Sequence, residues 1–175
     1  MIVRTSLLKT LALAGTLLVA GGAQATPATD PVLYWNTVML DAIRASATPP
    51  PVATRVMAMM HTAIFDAVNA SNGGAYQSYS LDPNVKAWAN ADAAAAVAAR
   101  SVLLATLPGQ AGFINQKFDL AMSGLPDQPA VALGASIGGQ SADAVIARRT
   151  GDGSAASVTY TGLVYVNGGQ LTLSG

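Results

Sequence analysis

The chain has no cysteine and no glutamate, and only one histidine in 175 residues. Its acids are nine aspartates, opposed by three lysines and six arginines, so the formal charge is zero. Charged residues make up 10%, well under the roughly 25% of an average soluble domain. Each scarcity excludes something. Without cysteine there is no disulfide framework, no thiolate metal site and no thiol nucleophile. Without a broad basic field there is no electrostatic footprint for nucleic acid. Low charge with 51% hydrophobic residues is the reverse of the disordered signature. Much of that apolar content is alanine, so the chain must pack with little bulk.

The N-terminus reads as a secretory signal peptide over residues 1–25. Arg4 and Lys9 form the positive region, Leu11 to Ala20 is an uncharged apolar run, and Ala23-Gln24-Ala25 places the cut before Thr26. The alternative, a retained membrane anchor, needs about 20 apolar residues, roughly twice what this run supplies. The expected product is exported, periplasmic or extracellular, with no stable membrane span after cleavage. Cleavage removes two cations and leaves about 150 residues, enough for one domain that buries around 68–70% of its unfolded surface.

Residues 26–154 are predicted to form an all-α bundle of about five helices. Asp30-Pro31 is an N-cap followed by a first-turn proline, opening a helix to about Ser46 with Trp35, Val38, Met39, Ala42 and Ile43 on one stripe. Pro49 to Pro51 end it. A second helix is expected from Pro51 to Ala70, with Val52, Val56, Met59 or Met60, Ala63, Ile64 and Ala67 inward. A third, expected from Val85 to Leu107, is nearly all alanine over 89–99 and can approach its neighbours closely, which places it centrally. A fourth is expected from Gln110 to Ser123, with Phe113, Ile114, Phe118, Leu120, Ala121 and Met122 inward. The fifth, Pro129 to Arg149, is started by Asp127 and Pro129 and carries Gly134, Gly138 and Ala142 at four-residue spacing. Gln140 and Asp143 interrupt that segment, which favours close soluble packing over a membrane interface. Residues 155–175 form a divergent tail: 158–161, 163–166 and 170–173 are β-prone, with Asn167-Gly168 as the turn of a possible hairpin.

Candidate chemistry is sparse. His61 can be read as a base or ligand, or as a structural side chain. A metal site normally takes three or four protein ligands, and no second histidine exists, so the structural reading is preferred. No Gly-x-Ser-x-Gly turn and no phosphate loop of the Walker type is present. Arg55 and Asp66 share a stripe of the second helix but are separated by roughly 16 Å along its axis. A mid-helix Asp66 needs hydrogen bonds to be tolerated; it is read as a structural tie to a neighbouring helix rather than a reacting group. Asp41 and Arg44 are expected to form an exposed pair. Asp152-Gly153-Ser154 is read as a turn rather than an ion loop.

Several of these segments resemble a known family. Asp30-Pro-Val-Leu-Tyr-Trp-Asn36, Asp41-Ala-Ile-Arg44, Thr48-Pro-Pro-Pro51 and, most specifically, Arg55 through Met59-Met60-His61-Thr-Ala-Ile-Phe-Asp66-Ala-Val-Asn69 are similar to the N-terminal part of secreted bacterial vanadium-dependent haloperoxidase-like proteins, in the type 2 phosphatidic acid phosphatase superfamily. Arg100 to Pro108 and Leu133 to Gly153 resemble later segments of it, so the likeness spans about residues 30–154. It implies a helical bundle holding vanadate or phosphate among a lysine, two arginines and a Ser-Gly-His segment, with a second histidine bonded to the anion or attacking it. These 175 residues contain no Ser-Gly-His and one histidine; Lys86 and Lys117 lack the Arg-Pro that follows the family's lysine. No catalytic, cofactor-binding or metal residue is therefore carried over, and the tail from Ala155 departs from the family.

The reading is a scaffold without its reaction centre, from a truncated gene, a frameshift or a split pair, inactive alone, with vanadate or phosphate held in the missing half. Its partners would be a separate catalytic-half polypeptide or a second copy. The alternative is an exported interaction module that binds another protein through Trp35, Tyr76, Tyr79, Trp88 and the tail. A third outcome is a fragment without function that is degraded.

Overall fold

A computed structural model describes residues 30–126, 128–157, 163–166 and 169–172. The signal peptide, the Asp127 helix start, the β-prone segment 158–161 and the Asn167-Gly168 turn lie outside the described residues.

Among the described residues, those over 30–157 form an all-α bundle of five helices. Helix α1 spans Pro31–Ala45. Asp30 caps it as expected, its Oδ1 accepting from Val32 N at 2.8 Å and Leu33 N at 3.3 Å. The predicted stripe of Trp35, Val38, Met39, Ala42 and Ile43 is buried. At its end Ser46 Oγ donates to Ala42 O, and Ala47 takes φ +48° to turn the chain into the proline run. Helix α2 spans Pro50–Ser71. Its core face is the expected one except in the first turn, where Ala53 is buried and Val52 is 48% exposed. Gly73 and Gly74 follow at φ +83° and +69°, and Gly74 N donates to Asn69 O at 2.8 Å, which closes the helix in the left-handed manner only glycine adopts at low cost.

Helix α3 spans Ala91–Thr106, six residues later than the expected Val85. The reason is long-range. Ala87 N donates to Ala70 O and Ala89 N to Ser71 O, both at 2.9 Å, while Gly73 N donates to Ala87 O at 3.3 Å. Residues 87–89 thus lie extended against the end of α2, with Asn72 and Trp88 bridged antiparallel. Asn90 then caps α3, its Oδ1 accepting from Ala93 N at 2.8 Å. Helix α3 is central as expected: it packs on α1, α2, α4 and α5, and Ala93 to Ala96, Ala98 and Ala99 are all buried.

A short 3-10 turn over Pro108–Gln110 leads into helix α4, Ala111–Ser123. Only Ile114 is fully buried here. Phe113, Phe118, Ala121 and Met122 pack on the core from its edge. Leu120, expected inward, is 61% exposed, because α4 lies across one side of the bundle. Two long-range contacts hold it: Tyr34 Oη donates to Lys117 O at 2.8 Å, and Arg100 donates from Nε to Asn115 Oδ1 at 2.7 Å with its guanidinium 4.7 Å from the Phe118 ring centre. Burial raises the Tyr34 hydroxyl above the ordinary tyrosine range.

Helix α5 spans Gln128–Arg149 and is long and apolar enough to cross a membrane by length and composition. In the bundle it is a packed core helix. Gly134, Gly138 and Ala142 form a buried stripe. A Cβ on Gly134 would overlap the Asn90 carbonyl, and one on Gly138 would overlap the Ala94 carbonyl and reach 3.1 Å from Ala98 N. The glycines therefore let the backbones of α3 and α5 meet directly. Ser141 Oγ also donates to Ala63 O at 2.8 Å, tying α5 to α2. In the tail, β1 (Leu163–Val166) pairs antiparallel with β2 (Gly169–Thr172) in the register Val166 with Gly169 and Leu163 with Thr172.

Candidate functional site

Among the polar side chains of α2, Asp66, Asn69 and Arg55 are tied to other parts of the fold, while the buried Ser71 Oγ and Arg55 Nε have no hydrogen-bond partner among the described residues. The Asp66 side chain is wholly buried. Its Oδ1 accepts from Tyr79 N at 2.7 Å, and its Oδ2 from Ser80 N at 2.7 Å and Leu81 N at 3.1 Å. Three N–H donors meet a buried carboxylate in place of water, which is what burial of that charge requires. Asp66 is a structural tie, as expected, but to the loop that follows α2 rather than to a neighbouring helix. One turn on, Asn69 binds both backbone groups of Tyr76: Nδ2 donates to Tyr76 O at 2.7 Å and Oδ1 accepts from Tyr76 N at 3.0 Å. Arg148 of α5 donates to Tyr79 O. The Phe65 and Tyr79 rings meet edge to face at 6.2 Å. The loop over 75–81 is thus pinned at both ends.

That pinned loop and the extended segment 87–89 display aromatics. Tyr76 is 72% exposed, Tyr79 71% and Trp88 82%; the Trp88 ring lies over Gly73, where an added Cβ would come within 3.2 Å of it. Trp35, grouped with these from sequence, is only 1% exposed and sits edge-on to Tyr34 in the core. It belongs to the α1 stripe, not to any outward face.

His61 is half-buried and its Nε2 lies 3.2 Å from Asn36 Oδ1 on α1. The imidazole lines a cleft of about 340 Å³ walled by Val32, Ile64, Phe65, Val68 and Tyr76. From sequence, His61 reads as a structural side chain because it is the lone histidine. Sequence alone does not show the cleft, which is made by two helices and a loop together.

Arg55 and Asp66 do not meet. Arg55 donates to Arg149 O at 2.8 Å and to Asp152 Oδ2 at 3.2 Å, binding the start of α2 to the end of α5. Asp152-Gly153-Ser154 is a turn, with Ser154 N donating to Asp152 Oδ1 at 3.1 Å and Gly153 at φ +84°. The Ser154 hydroxyl and N–H, then the Arg55 guanidinium, hold the Asp152 carboxyl below its ordinary range. Asp41 and Arg44 form the expected exposed pair at 2.9 Å.

An oxyanion such as vanadate or phosphate needs several cations and N–H donors converging on one point. Four of the described cations are engaged elsewhere. Lys117 lies 5.4 Å from the Phe113 ring centre, Arg100 is bound to Asn115, Arg55 to Asp152 and Arg148 to a loop carbonyl. Nor do three His or Asp side chains converge as metal ligands among the described residues. The chain matches no family model, no curated protein and no solved structure.

Proposed function

We propose that this chain is an exported helical scaffold of the vanadium haloperoxidase-like type, inactive by itself, that acts by contact with another polypeptide carrying the oxyanion-binding lysine, arginines, Ser-Gly-His and second histidine. One observation carries this reading. The α2 segment holding the most specific likeness keeps its polar residues, but they serve the fold: Asp66 and Asn69 hold the loop over 75–81, and Arg55 holds the end of α5. Phosphoryl or peroxide chemistry needs a nucleophile or metal-bonding histidine beside a cationic cage, and His61 faces Asn36 instead.

The exported interaction module is a second reading, favoured by a separate observation. Tyr76 and Tyr79 stand outward on a loop held by side-chain ties, and Trp88 on the extended 87–89 segment held by backbone bonds to the end of α2; rigid exposed aromatics are the residue type that anchors protein interfaces. Affinity capture of the tagged chain from the exported fraction separates the two. A co-purifying polypeptide that contains Ser-Gly-His supports the split scaffold. A partner without it, released by Tyr76→Ser with Trp88→Ser, supports the module and overturns the first reading. Mass measurement of the exported chain tests the leader: a mature N-terminus at Thr26 is expected.

A further inference from the structure

The cleft beside His61 is independent of both readings. We propose that it is a binding site for a small apolar molecule bearing one hydroxyl group, such as a short-chain alkylphenol.

Three observations converge on it. First, the cleft is built before any ligand arrives. Its loop wall, Ala75 and Tyr76, is fastened by the two Asn69 bonds and, farther on, by the three Asp66 bonds. A wall already ordered costs little further entropy on binding. Second, its size and character suit a small ligand. At about 340 Å³ it lies at the low end of ligand pockets, roughly 300–1,000 Å³. Ile64 and Val68 line it from α2 and Val32 from α1, so the favourable term is removal of apolar surface from water.

Third, the polar group in the cleft has a defined preference. Asn69 is spent on Tyr76, and Asn72, which also lines the cleft, is exposed to solvent at its rim. His61 Nε2 lies within hydrogen-bond reach of an oxygen, Asn36 Oδ1; with Nε2 donating to that oxygen, Nδ1 is left as an acceptor. An acceptor selects a hydroxyl donor over a plain hydrocarbon. It also selects against a carboxylate, which would bring its own lone pairs to Nδ1.

The test uses the mature chain with 4-propylphenol, propylbenzene and 4-propylbenzoate as probes at neutral pH, followed by calorimetry and by methyl NMR shifts. Saturable binding of 4-propylphenol is expected, about tenfold tighter than propylbenzene, a ratio set by one hydrogen bond. Shifts should centre on Ile64 and Val68. His61→Phe should bring 4-propylphenol and propylbenzene to equal affinity. Val68→Trp, at a half-buried position, should fill the cleft and abolish both. If Val68→Trp fails to fold, Ala75→Phe at the exposed wall serves the same purpose. Absence of saturable phenol binding, equal affinity for phenol and hydrocarbon in the parent chain, tighter binding of the benzoate, or shifts centred elsewhere would each overturn the proposal.

Discussion

Replacing Asp66 with alanine removes the acceptor for three backbone N–H groups at once. In the native chain two of those bonds are 2.7 Å, a length typical of charge-assisted bonds, and the third is longer at 3.1 Å. Each such bond contributes about 1.5–3 kcal/mol net. The sum overstates the loss, because the Tyr79 and Ser80 donors are only part-buried and regain water if the loop lifts. Detachment of the loop therefore caps the cost, and a loss of about 3–5 kcal/mol is expected, in the range for breaking a buried charged contact. Against a total stability of about 5–15 kcal/mol that is a large fraction, and for a domain of this size it lowers Tm by about 10–15 °C. Circular dichroism melts give the magnitude. Hydrogen exchange gives the location: the amides of Tyr79, Ser80 and Leu81 should lose protection before the α3 amides do. Asp66→Asn should fall between, since one amide oxygen can serve one side of the loop while its NH₂ faces a donor on the other. A melt within about 1 kcal/mol of the parent, with those three amides as protected as before, would refute the assignment of Asp66 as the loop's anchor.

Gly138→Ala should destabilise the bundle by about 1–3 kcal/mol through overpacking, read as a lower urea midpoint, whereas Gly139→Ala, with open space at its Cβ, should not. Asn90→Ala removes the α3 cap and should cost about 1 kcal/mol; a larger loss would mean that the Asn90 N–H bond to Ala130 O was also broken. Asp152 gives a pH dependence of defined sign: its folded pKa is depressed, so the small stability it adds is present above the ordinary carboxylate range and is lost as pH falls through the folded value. Asp152→Asn should flatten the difference between melts at neutral and acidic pH; an unchanged pH profile would count against the Ser154 and Arg55 contacts.

The helices were legible wherever local chemistry ends them. Asp30 before Pro31, the prolines after Thr48 and the glycines after Asn72 mark α1 and α2 to within a residue or so. The glycine stripe of α5 announced its close packing, because a residue without a side chain has few other uses on a buried face. Alanine misled at the start of α3. Residues 85–90 have nothing locally against helix, and only pairing with the end of α2, some 17 residues back, draws Ala87 and Ala89 into an extended path. Leu120 misled in α4 for a related reason, since periodicity gives a face but not the neighbour that covers it. The ties of the site were the least legible. Arg55 finds the end of α5, 94 residues away, and the His61 cleft exists only once α1, α2 and the loop meet.

The central claim is that the polar residues of α2 hold the fold and perform no reaction in the isolated chain. The direct measurement is turnover by the purified chain, with phosphate monoesters and with bromide plus hydrogen peroxide, each with and without added orthovanadate. No turnover above the buffer blank is predicted under any of these conditions. Turnover that is retained by correctly folded parent chain and abolished by His61→Ala would contradict the claim.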